Sequence, residues 1–239
     1  MPQRVFNSDE VAKYLHLSRS DIEALVKRNE IPFRMQAARS VFLRGEIDAW
    51  ASQRILGMGP RPLADYHRAA AGKGPRLARD RALITELMTA ERIDPEFAPR
   101  TKASAIRGMV KLAEQTALVC DAADLLASIE AREHLCSTAI EGGIALLHPR
   151  HHEPYMFVDS FIVLGRAVRP LHAGSIDGSP TDLFFLVCCQ DDAIHLHALT
   201  RLCTLCQRTH MLADMRAAGN ATGILDAIVG AEADLLRKM

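Results

Sequence analysis

The chain has 239 residues, 49% of them hydrophobic and 24% charged, and its 29 basic side chains balance 29 acidic ones. That length suits two domains better than one, and that composition fits a globular protein with a real core rather than a disordered chain. The longest unbroken apolar run, Leu183 to Cys189, is seven residues, too short to cross a bilayer, and the opening MPQRVFNSDE lacks the apolar stretch of a secretion signal; a cytoplasmic protein without membrane insertion is expected.

The neutral total conceals an asymmetry. Residues 1–81 carry 15 Lys and Arg against 9 Asp and Glu, a net of +6, and residues 82–239 carry 14 against 20, a net of −6. A basic module joined to an acidic body suits a nucleic-acid-facing domain attached to something else. The six cysteines follow no disulfide-scaffold spacing, so buried free thiols in a reducing compartment are expected.

Residues 1–55 read as a compact helix-turn-helix. Asn7 is placed as an N-cap with Glu10 at N3 to close a capping box, and Phe6 and Val11 form a hydrophobic staple. The second helix repeats the logic, with Ser18 as N-cap, Asp21 at N3, and Ile22, Leu25 and Val26 as the inward stripe. Asn29 follows the basic Lys27-Arg28, where a left-handed C-cap residue is expected. Ile31 to Arg34 and Ser40 to Leu43 read as two short strands around a turn. Glu46 to about Arg54 reads as a last helix anchored by Ile47 and Trp50.

This module resembles the excisionase-type, MerR-like winged helix-turn-helix, on NSDEVAKYLHLSRSDIEALVKRNEIPFR and the terminal EIDAW. The resemblance implies double-stranded DNA as a partner. Arg19, Ser20, Lys27 and Arg28 on or near the second helix, with Arg34 and Arg39 on the wing, are the candidates to meet phosphates and base edges. Asp21 and Glu23 share that helix and repel a phosphate backbone unless they face away.

Residues 56–80 are rich in Gly, Pro, Ala and Arg without a sustained period, and read as a mobile basic linker. From residue 81 to 239 the pattern changes. Helices are expected at Ala82–Arg92, Lys102–Val119, Ala122–His134, Ala193–Gln207, His210–Ala218 and Thr222–Leu236. Strands are expected at Ile144–His148, Met156–Ala167 and Thr181–Cys189. Helices interleaved with apolar strands argue an α/β sandwich of helices around a mixed central sheet.

The chemistry gathers around Arg132 to Arg150. His148 ends a short apolar strand, Arg132 lies sixteen residues upstream, and His195-Leu196-His197 follows a later strand. A neutral imidazole nitrogen can attack a phosphoryl group, and the ring's ordinary pKa keeps that form abundant near neutrality. A guanidinium stays charged and can hydrogen-bond two phosphoryl oxygens at once.

Ser137-Thr138-Ala139-Ile140-Glu141-Gly142-Gly143-Ile144-Ala145-Leu146-Leu147-His148 resembles the STxIGxGIAIPH motif of phosphotransferase-system enzyme IIA proteins of the fructose, mannitol and nitrogen-regulatory type. Glu141 and Leu147 stand where that motif has glycine and proline. Arg132-Glu133 matches the family's upstream R-E pair, and His195, Leu196 and Leu199 match its HLxxL segment. The resemblance spans about Leu83 to Leu236. It implies an enzyme IIA-like fold with His148 as phosphoryl acceptor, in a solvent-open site that also holds Arg132 and His195. It further implies a phosphoryl carrier rather than a metabolic enzyme, with a histidine phosphocarrier protein (HPr-like) as donor and no cofactor.

The two halves together suggest a phosphotransferase-linked transcriptional regulator, or alternatively the cytoplasmic enzyme IIA component of a sugar permease. A separate permease or regulatory target and a homodimer are compatible with either. The histidines at 148, 151, 152, 195 and 197 do not match a recognised zinc spacing. Cys203-x-x-Cys206 falls inside an expected helix, where core packing accounts for it, so no metal is expected.

Overall fold

The computed structural model describes residues 5–73, 84–151 and 155–237. Strand β1 (Val5–Phe6) leads into α1 (Ser8–Tyr14) and α2 (Arg19–Lys27), followed by β2 (Arg34–Gln36), β3 (Arg39–Leu43) and α3 (Arg44–Leu56). Both expected capping boxes form, Asn7 with Glu10 and Ser18 with Asp21. Asn29 adopts φ 55° just beyond α2, as its position after Lys27-Arg28 suggested. The wing is a three-stranded antiparallel sheet in the order β1-β3-β2; β2 falls a few residues later than expected, and β3 matches the expected strand to within one residue. Its tight turn puts Ala37 and Ala38 at positive φ, 47° and 61°.

The stretch expected to be a mobile linker is instead helical where it is described. Helix α4 (Pro60–Lys73) follows α3 after a short turn, and the remainder of that stretch, 74–80, lies outside the described residues. Pro60 at the first helical position needs no amide partner and has its φ preset for a helix. Leu63 is fully buried, and both α3 and α4 pack on a helix of the following domain. Composition suggested flexibility; tertiary packing overrides it.

The second domain begins with α5 (Ile84–Leu87), a 3-10 turn at Ala90–Arg92 and β4 (Ile93–Phe97), where one continuous helix was expected up to Arg92. Next come α6 (Lys102–Glu114), α7 (Ala122–Leu135), β5 (Ala139–Ile140), β6 (Ile144–Leu147), β7 (Phe161–Leu171) and β8 (Thr181–Cys188). The chain ends with α8 (Asp192–Arg208), α9 (Met211–Ala217) and α10 (Ala221–Arg237). Helix α6 stops five residues before the expected Val119, and Ala117 turns the chain at φ 57°.

The sheet order is β4-β7-β8-β6-β5. β4 with β7 and β6 with β8 are parallel, whereas β7 with β8 and β5 with β6 are antiparallel, so the sheet is mixed as expected. Side chains alternate between two cores with period two. Ile144, Leu146, Ile162, Leu164, Leu183, Phe185 and Val187 face one core; Ala145, Leu147, Phe161, Val163, Phe184, Leu186 and Cys188 face the other. The first core includes α8 and α10 and runs without a break into the helix-turn-helix domain through Ile47, Ala51, Ile55 and Leu63. The second is closed by α6 and α7.

Two further features hold the frame. A Cβ at Gly165 of β7 would stand 2.7 Å from the Phe97 ring, and one at Gly108 of α6 would stand 2.6 Å from it, so glycine at both positions lets that ring wedge between sheet and helix. Arg201 and Glu232 form a buried ion pair of 3.0 Å between α8 and α10. The same carboxylate accepts from the Ile84 and Thr85 amides, which satisfies two free donors at the start of α5.

Candidate functional site at His148

Three elements deliver the site. His148 directly follows β6, Arg132 sits in the last turn of α7, and His195 in the first turn of α8. Continuing the β6 alternation, position 148 takes the face of Ile144 and Leu146, the face that α8 covers. The Asp191 side chain accepts from the Ile194 amide as N-cap of α8, which fixes the start of the turn carrying His195. Glu133 accepts from the Thr138 amide at 2.9 Å and from its hydroxyl, and pairs with Lys102 at 2.6 Å. That carboxylate pins the loop from α7 into β5, and with it the neighbouring Arg132.

The three residues expected to share a site do so. Arg132 Nε donates to His148 Nε2 at 3.0 Å, and His148 Nδ1 lies 2.8 Å from the Leu146 carbonyl oxygen. A carbonyl only accepts, and a guanidinium only donates. The ring is therefore the neutral tautomer with its proton on Nδ1 and its lone pair on Nε2. The His148 and His195 rings lie 4.7 Å apart between centroids, tilted by 47°. Arg132 also donates through Nη1 to the Cys136 carbonyl at 3.1 Å, while its Nη2 has no hydrogen-bond partner among the described residues. This buried guanidinium nitrogen without a partner lies two bonds from the Nε that donates to His148, and can donate to an anion held beside that ring.

The expectation of a solvent-open imidazole is not met. His148 and His195 are 1% exposed and Arg132 is 2% exposed. The helix-turn-helix domain reaches the site directly: Ser52 Oγ of α3 lies 3.3 Å from His195 Nε2, and Arg44 pairs with Asp192 at the start of α8, its Nε 2.6 Å from Oδ2. Sequence reasoning did not single out Ser52, Arg44 or Asp192, because only the packing of the two domains brings them to the site. For Arg44 and Ser52 the one signal in the sequence is spacing, since positions 44, 48 and 52 fall on one helical stripe.

Glu141 lies exposed in the turn between β5 and β6, at the opposite end of β6 from His148. Its carboxylate is thus kept away from His148 and Arg132. Gly142 and Gly143 make that turn at φ 90° and 76°. Leu147 is buried in the second core.

The candidate DNA-facing residues stand elsewhere. Arg19, Ser20, Lys27 and Arg28 on or beside α2, Arg34 on β2 and Arg39 on β3 are all exposed. Arg19 pairs with Asp9 and Glu23 at 3.0 Å each, Arg28 with Glu30 at 3.5 Å, and Arg34 with Glu46 at 2.8 Å.

Among the described residues no three His, Cys, Asp or Glu side chains assemble as metal ligands; His152 of the histidine group lies outside them. Cys203 is buried in the core, where desolvation pushes its thiol up to about 12. Burial and the nearby Arg201 and His16 push His197 down to about 4.

Residues 86–230 match the family model for the phosphoenolpyruvate-dependent sugar phosphotransferase system, EIIA 2, which is more than half of the chain. The chain belongs to that family. Residues 5–55 match a helix-turn-helix domain. The protein is 30% identical over 147 residues to the PTS system fructose-specific EIIABC component of Bacillus subtilis, 61% of this chain but only 23% of that relative. It is 29% identical over 147 residues to the nitrogen regulatory protein of Bradyrhizobium diazoefficiens, covering 61% of this chain and 94% of that protein. The nitrogen regulatory protein IIA-Ntr of Neisseria meningitidis has the same fold, with a TM-score of 0.55 at 22% identity over 61% of this chain and 99% of that one. Among the described residues of this EIIA-2 protein no helix is long and apolar enough to cross a membrane.

Proposed function

We propose that the protein is a phosphotransferase-linked transcriptional regulator of the cytoplasm. Its EIIA domain accepts a phosphoryl group on His148, and its helix-turn-helix domain binds double-stranded DNA. The observation that carries this reading is the buried trio of His148, Arg132 and His195, with a lone pair on His148 Nε2 and a spare guanidinium nitrogen beside it.

In the transfer, His148 Nε2 attacks the phosphorus of a phosphohistidine on an HPr-like carrier. A new N–P bond forms as the donor's N–P bond breaks, and that bond's electron pair stays on the donor ring. The proton stays on His148 Nδ1, still donated to the Leu146 carbonyl oxygen, so no base is needed. Such a loose transition state asks mainly for positioning and charge stabilisation. Arg132 moves its donors from Nε2 to the phosphoryl oxygens, and His195 offers a further ring nitrogen. Incubation with phosphoenolpyruvate and the general phosphotransferase proteins tests this: acid-labile phosphate should appear on wild type and be absent from His148→Ala. Equal labelling of the two would overturn the assignment.

For DNA, α2 enters the major groove with Arg19, Ser20, Lys27 and Arg28, and the wing adds Arg34 and Arg39. Exposed ion pairs contribute little, so exchanging Asp9, Glu23, Glu30 and Glu46 for phosphates costs little. The similarity to a fructose-specific EIIABC component favours a second reading, a phosphocarrier serving a separate sugar permease. A sequence-specific footprint distinguishes the two, being expected only of the regulator.

A further inference from the structure

We infer that the helix-turn-helix domain is an intramolecular stopper on the phosphoryl-acceptor site: α3 occupies the face through which a donor must approach, and His148 is phosphorylated only when α3 withdraws. This rests on the acceptor role proposed above and adds its regulation. Three independent observations support it.

The first is steric. In-line transfer places the donor nitrogen across the phosphorus from His148 Nε2, so a second protein must reach a ring that is 1% exposed. The α3 helix stands at that ring's stacking partner, with Ser52 Oγ 3.3 Å from His195 Nε2. On the flank, Arg132 and Cys136 share a cleft of about 610 Å³ with Glu46, Trp50 and Gln53 of α3. Histidine 151 lies so close to Gly45 that a Cβ there would stand 3.0 Å from its ring.

The second is electrostatic. The interface holds two buried carboxylates, Asp48 of α3 and Asp192 of α8, with Arg44 the cation between them. Asp48 is itself hydrogen-bonded by Tyr14. A phosphoryl group brings close to two further negative charges, which a dry interface already holding two acidic side chains against one cation accommodates poorly. The modification that needs α3 to leave therefore also opposes its return.

The third concerns what stays uncovered. The α3 stripe of Arg44, Asp48 and Ser52 faces the EIIA domain, whereas Arg19, Ser20, Lys27, Arg28, Arg34 and Arg39 remain exposed. Docking thus closes the acceptor without burying the DNA-facing surface. Phosphorylation changes how the two domains are joined while the recognition helix stays available.

Carbethoxylation of His148 by diethylpyrocarbonate, followed by peptide mass mapping, reads its accessibility without any phosphoryl chemistry. The full chain is compared with Arg44→Glu, which sets a third carboxylate against Asp48 and Asp192, and with the milder Arg44→Ala. Resistance of Cys188, buried in the second core rather than the one that α3 joins, to a thiol reagent confirms folding of each variant. The stopper predicts carbethoxylation of His148 about tenfold faster in Arg44→Glu, the scale on which a closed state taxes a competent one, with an intermediate rise in Arg44→Ala. Phosphorylation by the carrier should accelerate in the same order. Equal carbethoxylation in all three proteins overturns the stopper, whatever the phosphate result. Faster carbethoxylation with no phosphate on any of them overturns the acceptor reading instead, and the stopper with it.

Discussion

Ser52 in the helix-turn-helix domain places its hydroxyl 3.3 Å from Nε2 of His195, 143 residues further along the chain. The contact lies where two sequence-distant modules share one core, since Ile47, Ala51 and Ile55 beside it join the same apolar cluster as Leu196, Leu199 and Leu202 of α8. Two beads on a string would keep separate cores; these do not.

That shared core makes α4 a structural element rather than a tether. Leu63→Ala should destabilise the whole chain by about 2–4 kcal/mol, the range for emptying a buried leucine site, with a single cooperative transition retained. Denaturant unfolding followed by both tryptophan fluorescence and circular dichroism checks it. A change under about 0.5 kcal/mol, the usual scale of a surface substitution, would mean that α4 does not pack as described.

Asp48 supplies a pH dependence. Burial, and next the charge of Asp192, push its carboxyl up to about 7 from an ordinary 3.8, against the opposing effects of the Tyr14 hydrogen bond and Arg44. The folded chain therefore holds this proton more tightly than the unfolded one. The associated stability is fully present below about pH 4 and is lost as the pH rises through about 7. Asp48→Asn keeps an acceptor for Tyr14 and removes the charge. Its melting temperature should match wild type near pH 4 and exceed it at pH 8, by on the order of 1–2 kcal/mol in stability. An unchanged difference across that range would contradict the assignment.

The wing turn carries strain. Ala37 and Ala38 both adopt left-handed backbone, which a Cβ disfavours and which Asn-Gly adopts readily in two-residue hairpins. The double substitution Ala37→Asn with Ala38→Gly should stabilise the protein by about 1 kcal/mol, read as a higher unfolding midpoint. No gain would show that the turn is less constrained than its dihedrals indicate.

Much of this architecture can be read from residues alone, because local chemistry determines it. Asn7 with Glu10 and Ser18 with Asp21 announce two helix starts that form as expected, and the continuous apolar runs of β6 to β8 announce a sheet covered on both faces. The site trio is legible through three short motifs. Strand β4 is not, because Asp94, Pro95 and Glu96 interrupt its apolar pattern; as an edge strand pairing only with β7, it tolerates a proline that a central strand would not. Helix α4 is hidden by its Gly, Pro and Arg content, although Pro60 and the spacing of Leu63 and Tyr66 carry a faint helical signal. The burial of His148 is not legible at all, since nothing along the chain says that Ser52 will meet His195.

In the proposed transfer His148 presents Nε2, with Nδ1–H held by the Leu146 carbonyl, to an incoming phosphoryl group. Long-range proton–nitrogen correlation spectra of the imidazoles, recorded on the chain after phosphorylation by the carrier, test it most directly. Phosphate on Nε2 of residue 148, with Nδ1 still protonated, is the predicted result. Phosphate on Nδ1, or on any other histidine, would contradict it.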